Sequence, residues 1–323
     1  MMITTVYKGA IITALMGTLS VLNACSTLPT QNSNNTSNMI VNPLTATMSE
    51  IDRQGRIAYV EEQGLGAAKI SSLYIIRPDG SERQLIDQLN GYIYAPAWSA
   101  DGKQLTYSKQ AQRQPPKIYV YDTLTHAQTL VIGGKGSHLS ATFSPDGQKL
   151  LYSSTASGNA DIYELRLSDG SSSQLTTVPS TEVQPSYAPD GQSFVYVSDK
   201  SRAGRPRIYR YNFATKKSQL IATSGYATSP QLSLDGQRMA YLNGRQAAVM
   251  TLATGQVINL AETGLDEPAR LSPSGSYAVY PMQNTQHSGQ KGSSLVIRAL
   301  SGGASYTISS KSGGLARSPV WGR

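Results

Sequence analysis

From about residue 51 to the C-terminus, short apolar runs of period two alternate with clusters of Gly, Pro, Asp and Ser. Lys149-Leu-Leu-Tyr-Ser153 and Asp161-Ile-Tyr-Glu-Leu-Arg-Leu167 are two such runs. A period of two is that of a strand, whose side chains point alternately to opposite faces. The clusters between them are turn chemistry. In Ser144-Pro-Asp-Gly147 the proline fixes φ at the second position, the aspartate tolerates the bend, and the glycine accepts a positive φ. Ser168-Asp-Gly170 plays the same part before Ser173-Gln-Leu-Thr176. The unit predicts two hairpins, hence four antiparallel strands.

The unit repeats. Trp98-Ser-Ala-Asp-Gly-Lys-Gln-Leu-Thr-Tyr107, Phe143-Ser-Pro-Asp-Gly-Gln-Lys-Leu-Leu-Tyr152, Tyr187-Ala-Pro-Asp-Gly-Gln-Ser-Phe-Val-Tyr196, Leu232-Ser-Leu-Asp-Gly-Gln-Arg-Met-Ala-Tyr241 and Leu271-Ser-Pro-Ser-Gly-Ser-Tyr-Ala-Val-Tyr280 align without gaps. Ile51-Asp-Arg-Gln-Gly-Arg-Ile-Ala-Tyr59 is a sixth copy, one residue shorter. The aligned glycines are Gly55, Gly102, Gly147, Gly191, Gly236 and Gly275, at intervals of 47, 45, 44, 45 and 39 residues. A period near 44 is that of a four-stranded propeller blade. The later copies drift: Met250 interrupts an Ile-Tyr pair, and Ser274 replaces the aspartate.

The ends of the repeat region complement each other. Ser318-Pro-Val-Trp321 matches only the first strand of a unit, and the unit from Ile51 to Leu89 lacks that strand. Together they predict one blade, closed by the C-terminal strand. The expectation is an all-β, six-bladed propeller with four-stranded antiparallel blades, without the open sheet edges that template aggregation.

Composition sharpens this reading. Tyr supplies 19 residues against 3 Phe and 2 Trp, and charged residues are only 15%. Tyr with Thr, Val and Ile suits a half-buried pleated surface and argues against a helical bundle or coiled coil. Net charge is +8, which bears on partners rather than on fold. No zinc-finger spacing or basic helix accompanies it, so nucleic acid is not an expected partner.

The first residues read as an export leader. Gly9 to Leu22 form an uncharged, mostly apolar run of 14 residues after Lys8, too short for a relaxed membrane span and right for a signal h-region. Leu22-Asn23-Ala24-Cys25 then resembles the lipobox of bacterial lipoproteins. Cys25 is the only cysteine, so no internal disulfide forms, and the resemblance gives the thiol its role as the site of lipid attachment. Ser26 at the next position implies outer-membrane sorting, facing the periplasm. Cleavage before Cys25 removes one lysine and no acid, taking the charge from +8 to +7. Ser26 to Met48, rich in Asn, Ser, Thr and Pro, reads as a coil spanning roughly 25–30 Å. The expected domains are a signal peptide over 1–24, a tether over 25–48 and a propeller over 49–323.

The segment from Tyr187 to Tyr209, and that from Phe143 through Thr176, resemble TolB-type propeller repeats; the resemblance covers about residues 51 to 323. It implies a periplasmic six-bladed propeller of the Tol-Pal envelope system, where TolB binds the lipoprotein Pal. Similar repeats occur in propellers of prolyl oligopeptidase-like peptidases and of some sugar lyases. TolB proteins carry an α/β domain before the propeller and are not lipidated; here a tether and a lipidation signal precede residue 51.

No catalytic set emerges. There is no Gly-x-Ser-x-Gly elbow, and His126, His138 and His287 are scattered without a His-Glu-x-x-His. Asp101, Asp146, Asp190 and Asp235 recur once per unit and read as turn residues rather than as a ring of ligands. No catalytic residue, metal site or cofactor is expected, although sequence does not read a single cation in a propeller channel. What varies between units is the start of each first strand, with Tyr92, Tyr94, His138, Glu182, Tyr226, Asp266, Glu267 and Arg317. Strand parity puts these on one face with the loops joining second and third strands. Those loops carry Lys109, Arg113, Lys117, Lys200, Arg202, Arg205, Arg207, Arg245 and Lys291, against Glu61, Glu62, Asp161 and Asp199. The expectation is a basic channel-mouth face that steers an acidic partner. The leading reading is a monomeric, lipid-anchored scaffold binding an envelope protein or peptide. A peptidoglycan or glycan binder is the alternative, followed by a propeller lyase or hydrolase.

Overall fold

The computed structural model describes residues 46–323 except 222, 224, 286–290, 304 and 311. The leader, Cys25 and most of the tether, His287 and the side chain of Lys291 lie outside the described residues. A short helix, α1 (Glu50–Gln54), precedes twenty-three strands among the described residues. In chain order these are β1 (Arg56–Gln63), β2 (Ile70–Ile76), β3 (Gln84–Trp98), β4 (Gln104–Ala111), β5 (Lys117–Asp122), β6 (Gln128–Ile132), β7 (His138–Phe143), β8 (Lys149–Ser154), β9 (Asp161–Arg166) and β10 (Ser172–Gln174). They continue as β11 (Glu182–Tyr187), β12 (Ser193–Ser198), β13 (Arg207–Asn212), β14 (Lys217–Leu220), β15 (Ala227–Leu232), β16 (Arg238–Asn243), β17 (Gln246–Thr251) and β18 (Val257–Glu262). The last are β19 (Arg270–Leu271), β20 (Tyr277–Thr285), β21 (Lys291–Ala299), β22 (Ser305–Ser309) and β23 (Leu315–Gly322).

Strands β7–β10, β11–β14, β15–β18 and β19–β22 form four antiparallel four-stranded sheets. The remaining seven strands run β23-β1-β2-β3-β4-β5-β6. The long β3 divides this group. Its first half pairs with β2 through Asn90, and its second half pairs with β4 from Gly91 onward. The C-terminal β23 lies antiparallel to β1, with Trp321 opposite Ile57 and Ala316 opposite Glu61.

Both faces of the inner strands are covered, and this explains their near-continuous apolar runs. Along β1, Ile57 and Tyr59 join a cluster with Tyr277, Val279, Leu295 and Ile297. Ala58 and Val60, one residue out of phase, join a cluster with Ile93, Leu105 and Tyr107. Period two thus feeds two different cores from one strand. Similar clusters lie between the other successive sheets. The outermost strands are the more exposed ones, fully so in the short, polar β10.

The tyrosine that ends each repeat supplies more than apolar area. Tyr107, Tyr152 and Tyr196 are buried, and their hydroxyls bond Gln128 at 3.2 Å, Ser172 at 3.2 Å and Ser218 at 2.8 Å. Each bond ties a second strand to the outermost strand of its own sheet. Phenylalanine would fill the same volume without that tie; in the next repeat the buried Tyr241 hydroxyl bonds no partner among the described residues.

The Asp-Gly turns behave as the sequence suggests. Asp101, Asp146, Asp190 and Asp235 each accept the backbone N–H two residues on, at 2.9–3.1 Å. In three of them a serine hydroxyl adds a second bond. The turn glycines, such as Gly147, sit near φ +70°. The first copy differs. Gly55 ends α1 at φ −61° instead of turning a hairpin, and Asp52 lies within the helix. Its buried carboxylate accepts the Ser274 N–H at 2.9 Å and the Ser274 hydroxyl at 2.5 Å. In the last repeat Ser274 Oγ takes the aspartate's part, accepting the Ser276 N–H at 3.1 Å, and Asp52, 222 residues away, anchors that serine to α1.

One repeated feature carries no signature in the turn motif. Ala95, Ser140, Gln184, Ser229 and Ser318 adopt positive φ, from +45° to +57°, inside inner strands. Each sits at a bulge where the pairing register shifts. Non-glycine residues pay about 1 kcal/mol or more for this conformation. The N–H groups freed at the bulges reach back to the preceding sheet. Ser108 Oγ accepts from Ser140, Ser153 Oγ from Gln184, and Gln184 Oε1 from Ser229, at 2.9–3.3 Å. The Glu267 carboxylate accepts from Ser318 at 2.5 Å.

Candidate binding face and central cavity

The bulges surround a cavity of about 160 Å³ lined by residues from every sheet, rich in Ala and Pro, with Tyr94, Gln184, Asp266, Glu267 and Arg270. A second cavity, of about 320 Å³, lies on the side of the Asp-Gly turns. The two share Ala97, Thr142, Ser186, Gln231 and Val320, so they meet at a common level.

On the first cavity's side, much of the charge is paired internally. Arg317 donates to Glu267 at 2.5 Å and lies 3.6 Å from Glu62. Glu62 also takes the Lys69 ammonium at 2.8 Å. Lys69 in turn sits 4.4 Å from the centre of the Tyr92 ring, which stacks on Tyr94 at 5.6 Å. This chain links β19's approach, β23, β1, β2 and β3. Burial lowers the Arg317 pKa, but Glu267 and Glu62 outweigh it and hold the guanidinium firmly charged. Burial raises the Tyr94 pKa, and its hydroxyl donates to Gln110 at 2.9 Å. Glu61 is likewise consumed, by Arg83, Ser310 and Ser312.

Glu182 and His138 lie at strand starts, as parity predicts, yet both are buried. Neighbouring sheets cover these positions, so neither presents a side chain to a partner on the surface. Glu182 Oε1 accepts the Ser180 and Ser198 hydroxyls at 2.6 and 2.7 Å, while Oε2 has no partner. Burial, with Asp161 as the main unfavourable charge, pushes the Glu182 pKa up to about 7. Asp161, also buried, is raised by desolvation against hydrogen bonds from Ser157, Thr176 and Gln174. His138 packs edge-on against Tyr152. Burial lowers its pKa, opposed by the backbone at Gly133 and Lys135, yet neither ring nitrogen completes a well-formed hydrogen bond.

The basic loops divide into paired and free cations. Lys109 is held by Asp87 at 2.8 Å. Lys200 bonds Tyr196 at 3.0 Å and lies over Tyr209. Arg207 donates to the Thr223 carbonyl at 2.9 Å. Arg245 pairs with Glu262 at 2.9 Å and approaches Asp266 at 3.8 Å. Charge counting missed Asp87 and Glu262 because each reaches its cation from a different strand, outside the loop that was counted. Arg202 and Arg205 are exposed, and among the described residues no carboxylate pairs with them. Their loop is shaped by Asp199, which accepts N–H groups from Thr181 and Gly204 at 3.0 Å. The Thr181 bond sets this loop beside the start of β11. Tyr226 is exposed, and burial of its hydroxyl end followed by the Asp266 charge raises its pKa.

Among the described residues no helix is long and apolar enough to cross a membrane, and no three His, Cys, Asp or Glu side chains group as metal ligands. The TolB beta propeller domain family matches residues 44–323. The chain is 28% identical over 282 residues to the Tol-Pal system protein TolB of Francisella tularensis subsp. mediasiatica, covering 82% of this chain and 63% of that protein. It thus spans less than two thirds of the length of such relatives. The crystal structure of TolB from Acinetobacter baumannii superposes with a TM-score of 0.72 at 29% identity, covering 84% of this chain and 67% of that one. A putative TolB from Agrobacterium tumefaciens shares the fold at TM-score 0.57 and 19% identity, over 78% and 88% of the two chains. The chain belongs to the TolB beta propeller domain family.

Proposed function

We propose that this chain is a lipid-anchored scaffold of the bacterial cell envelope, exported and tethered through Cys25 to the outer membrane on its periplasmic side. It binds a protein or peptide partner at the face where the first cavity opens. The relatives it resembles are named for the Tol-Pal system, which supports an envelope role. The sheets read as six blades closed into a ring by β23 on β1, a rigid frame for that face.

The observation that carries the binding reading is the loop of Arg202 and Arg205. Lys109, Lys200, Arg207 and Arg245 are neutralised by carboxylates or capped by carbonyls and rings, whereas these two guanidiniums, like Arg113 elsewhere on the face, stand exposed, and theirs lie together beside the start of β11. Exposed, unpaired guanidiniums contribute little to folding and are available to acidic partners. Steering by such charges acts on association rate and fades with salt. The partner segment is therefore acidic. A catalytic role is not proposed, since His138 is buried against Tyr152 rather than set beside an acid.

The test is charge reversal. Arg202→Glu with Arg205→Glu should slow association with a crosslinked and identified partner several-fold at low ionic strength, with the melting temperature unchanged. Association unaffected by the reversal would refute this face assignment.

A further inference from the structure

The inner strands bring one residue each to equivalent positions around the first cavity: Ala97, Thr142, Ser186, Gln231, Arg270 and Val320, of which all but Arg270 also line the second. Each directly precedes the first residue of an aligned turn repeat, or Trp321 in β23. Five of the six are neutral, and the sixth is an arginine. Arg270 Nη1 donates to the Ser229 carbonyl at 3.0 Å and the Ala269 carbonyl at 3.2 Å. Among the described residues Nε and Nη2 bond no acceptor, and the Arg270 side chain lines the first cavity. Among the described residues no carboxylate lies within ion-pair distance of this guanidinium. Glu267, the acid nearest in sequence, is occupied by Arg317 and the Ser318 N–H.

A guanidinium set this deep without a counter-charge is unusual, because desolvation is normally offset by a partner. Burial pulls the Arg270 pKa down to about 10, with Glu267 opposing, so the group remains a cation at neutral pH. The Nε–Nη2 edge of arginine is the edge that matches a planar carboxylate with two parallel hydrogen bonds. Gln231 adds an amide next door: its Oε1 accepts the Leu271 N–H at 3.3 Å, which leaves its NH₂ group as a donor. Pro230, Pro268 and Ala141 supply apolar walls, and a low-polarity surround strengthens a charge-assisted bond. The volume of about 160 Å³ admits a small carboxylate or one acidic side chain.

We propose that Arg270 anchors a carboxylate-binding site inside the ring, filled from the open end of the first cavity. The carboxylate belongs either to a free small organic acid or to a docked polypeptide, as an Asp or Glu side chain or a C-terminus. Only the second source rests on the reading of this face as a partner-binding surface.

The test uses the full chain labelled with 15N-arginine. The Arg270 Nε resonance, assigned by its disappearance in Arg270→Lys, is followed during titration with acetate, with succinate, and with a short Glu-rich peptide against its Gln-substituted, amidated counterpart. Chloride at matched ionic strength is the control. The expected result is a saturable shift with at least one carboxylate and none with chloride or the neutral peptide. Affinity, read for wild type and variants by isothermal titration calorimetry because the lysine lacks the reporting resonance, should fall about tenfold or more in Arg270→Lys, which keeps the charge and loses the fork. Arg270→Gln should abolish binding; if it does not fold, the wild-type resonance and Arg270→Lys decide the matter alone. Response to the free acids identifies the first source, and response to the acidic peptide alone identifies the second. No saturable shift with any probe, an equal shift with chloride, or undiminished affinity in Arg270→Lys would overturn the proposal. Failure of the Arg202 and Arg205 reversal would leave it standing for free acids.

Discussion

Replacing Glu182 by glutamine should stabilise the protein above neutral pH and do little in acid. Glu182 is fully buried, with two hydroxyls on Oε1, nothing on Oε2, and the Asp161 charge raising the cost of ionisation. Ser180, Ser198 and Lys200 oppose that cost without overcoming it, and the pKa rises from 4.5 to about 7. The displacement corresponds to ~3 kcal/mol of folded-state preference for the neutral acid. A raised pKa means that the native state holds a proton which the unfolded chain has released. The contribution is therefore complete below about pH 4.5, falls as pH rises, and is gone above about pH 7. Glutamine reproduces the neutral acid at every pH: its carbonyl can accept from Ser180 and Ser198, and its NH₂ can face Asp161. At about pH 8 the variant should gain up to ~3 kcal/mol, or ~6–12 °C in Tm for a domain of this size. Thermal unfolding followed by circular dichroism across this range reads the difference directly. A gain equal in acid and base would show a packing effect instead, and a wild-type protein more stable than the variant at high pH would refute the buried-acid account.

Three further outcomes are expected. Deleting residues 318–323 removes Val320 and Trp321, both buried, and exposes the β1 edge; at ~1.5–3 kcal/mol for each large apolar side chain, the product should melt far lower or aggregate, and an unchanged Tm would deny the strand its closing role. Asp52→Ala leaves the Ser274 N–H and hydroxyl without their buried acceptor and should cost about 1–3 kcal/mol in chemical denaturation, whereas an unchanged midpoint would deny this contact its part in joining α1 to the last repeat. Cys25→Ser should leave an unlipidated, uncleaved precursor by mass spectrometry, whereas normal processing of that variant would remove the anchor from the proposal.

Much of the fold is legible because its information is local and repeated. Asp and Gly, preceded by Pro in two of the four, set the same turn at Gly102, Gly147, Gly191 and Gly236, and one such turn every 44 or 45 residues leaves room for little besides a four-stranded sheet. The mismatch between the first unit and Ser318-Pro-Val-Trp321 likewise anticipates the β1–β23 pairing. The inner-strand bulges were less legible. Ala95, Gln184, Ser229 and Ser318 each precede a proline, but Ser140 precedes Ala141, so proline alone does not mark the positive φ. Asp52 misled for another reason. Its sequence neighbourhood imitates a turn repeat, while its actual partner, Ser274, is the residue that breaks the pattern near the other end of the chain.

The candidate site depends on contacts between sheets, and there linear reading weakens. Parity located the strand starts but did not show which were covered, so Glu182 and His138 looked like rim residues although adjacent sheets bury them. Charge counting saw a basic face because Lys109 and Arg317 find their acids 22 and 50 residues away. The position of Arg270 is different, since it was available in the alignment. A repeat scaffold makes the residue before each turn segment equivalent in depth and direction. A cation in a column otherwise made of Ala, Thr, Ser, Gln and Val is then conspicuous without any structure. The turn residues recur because every repeat must fold, and a charge that does not recur at a half-buried, equivalent position is not required by the fold. In such a protein the functional signal lies in the exceptions within a column, read only after the column's structural role is known.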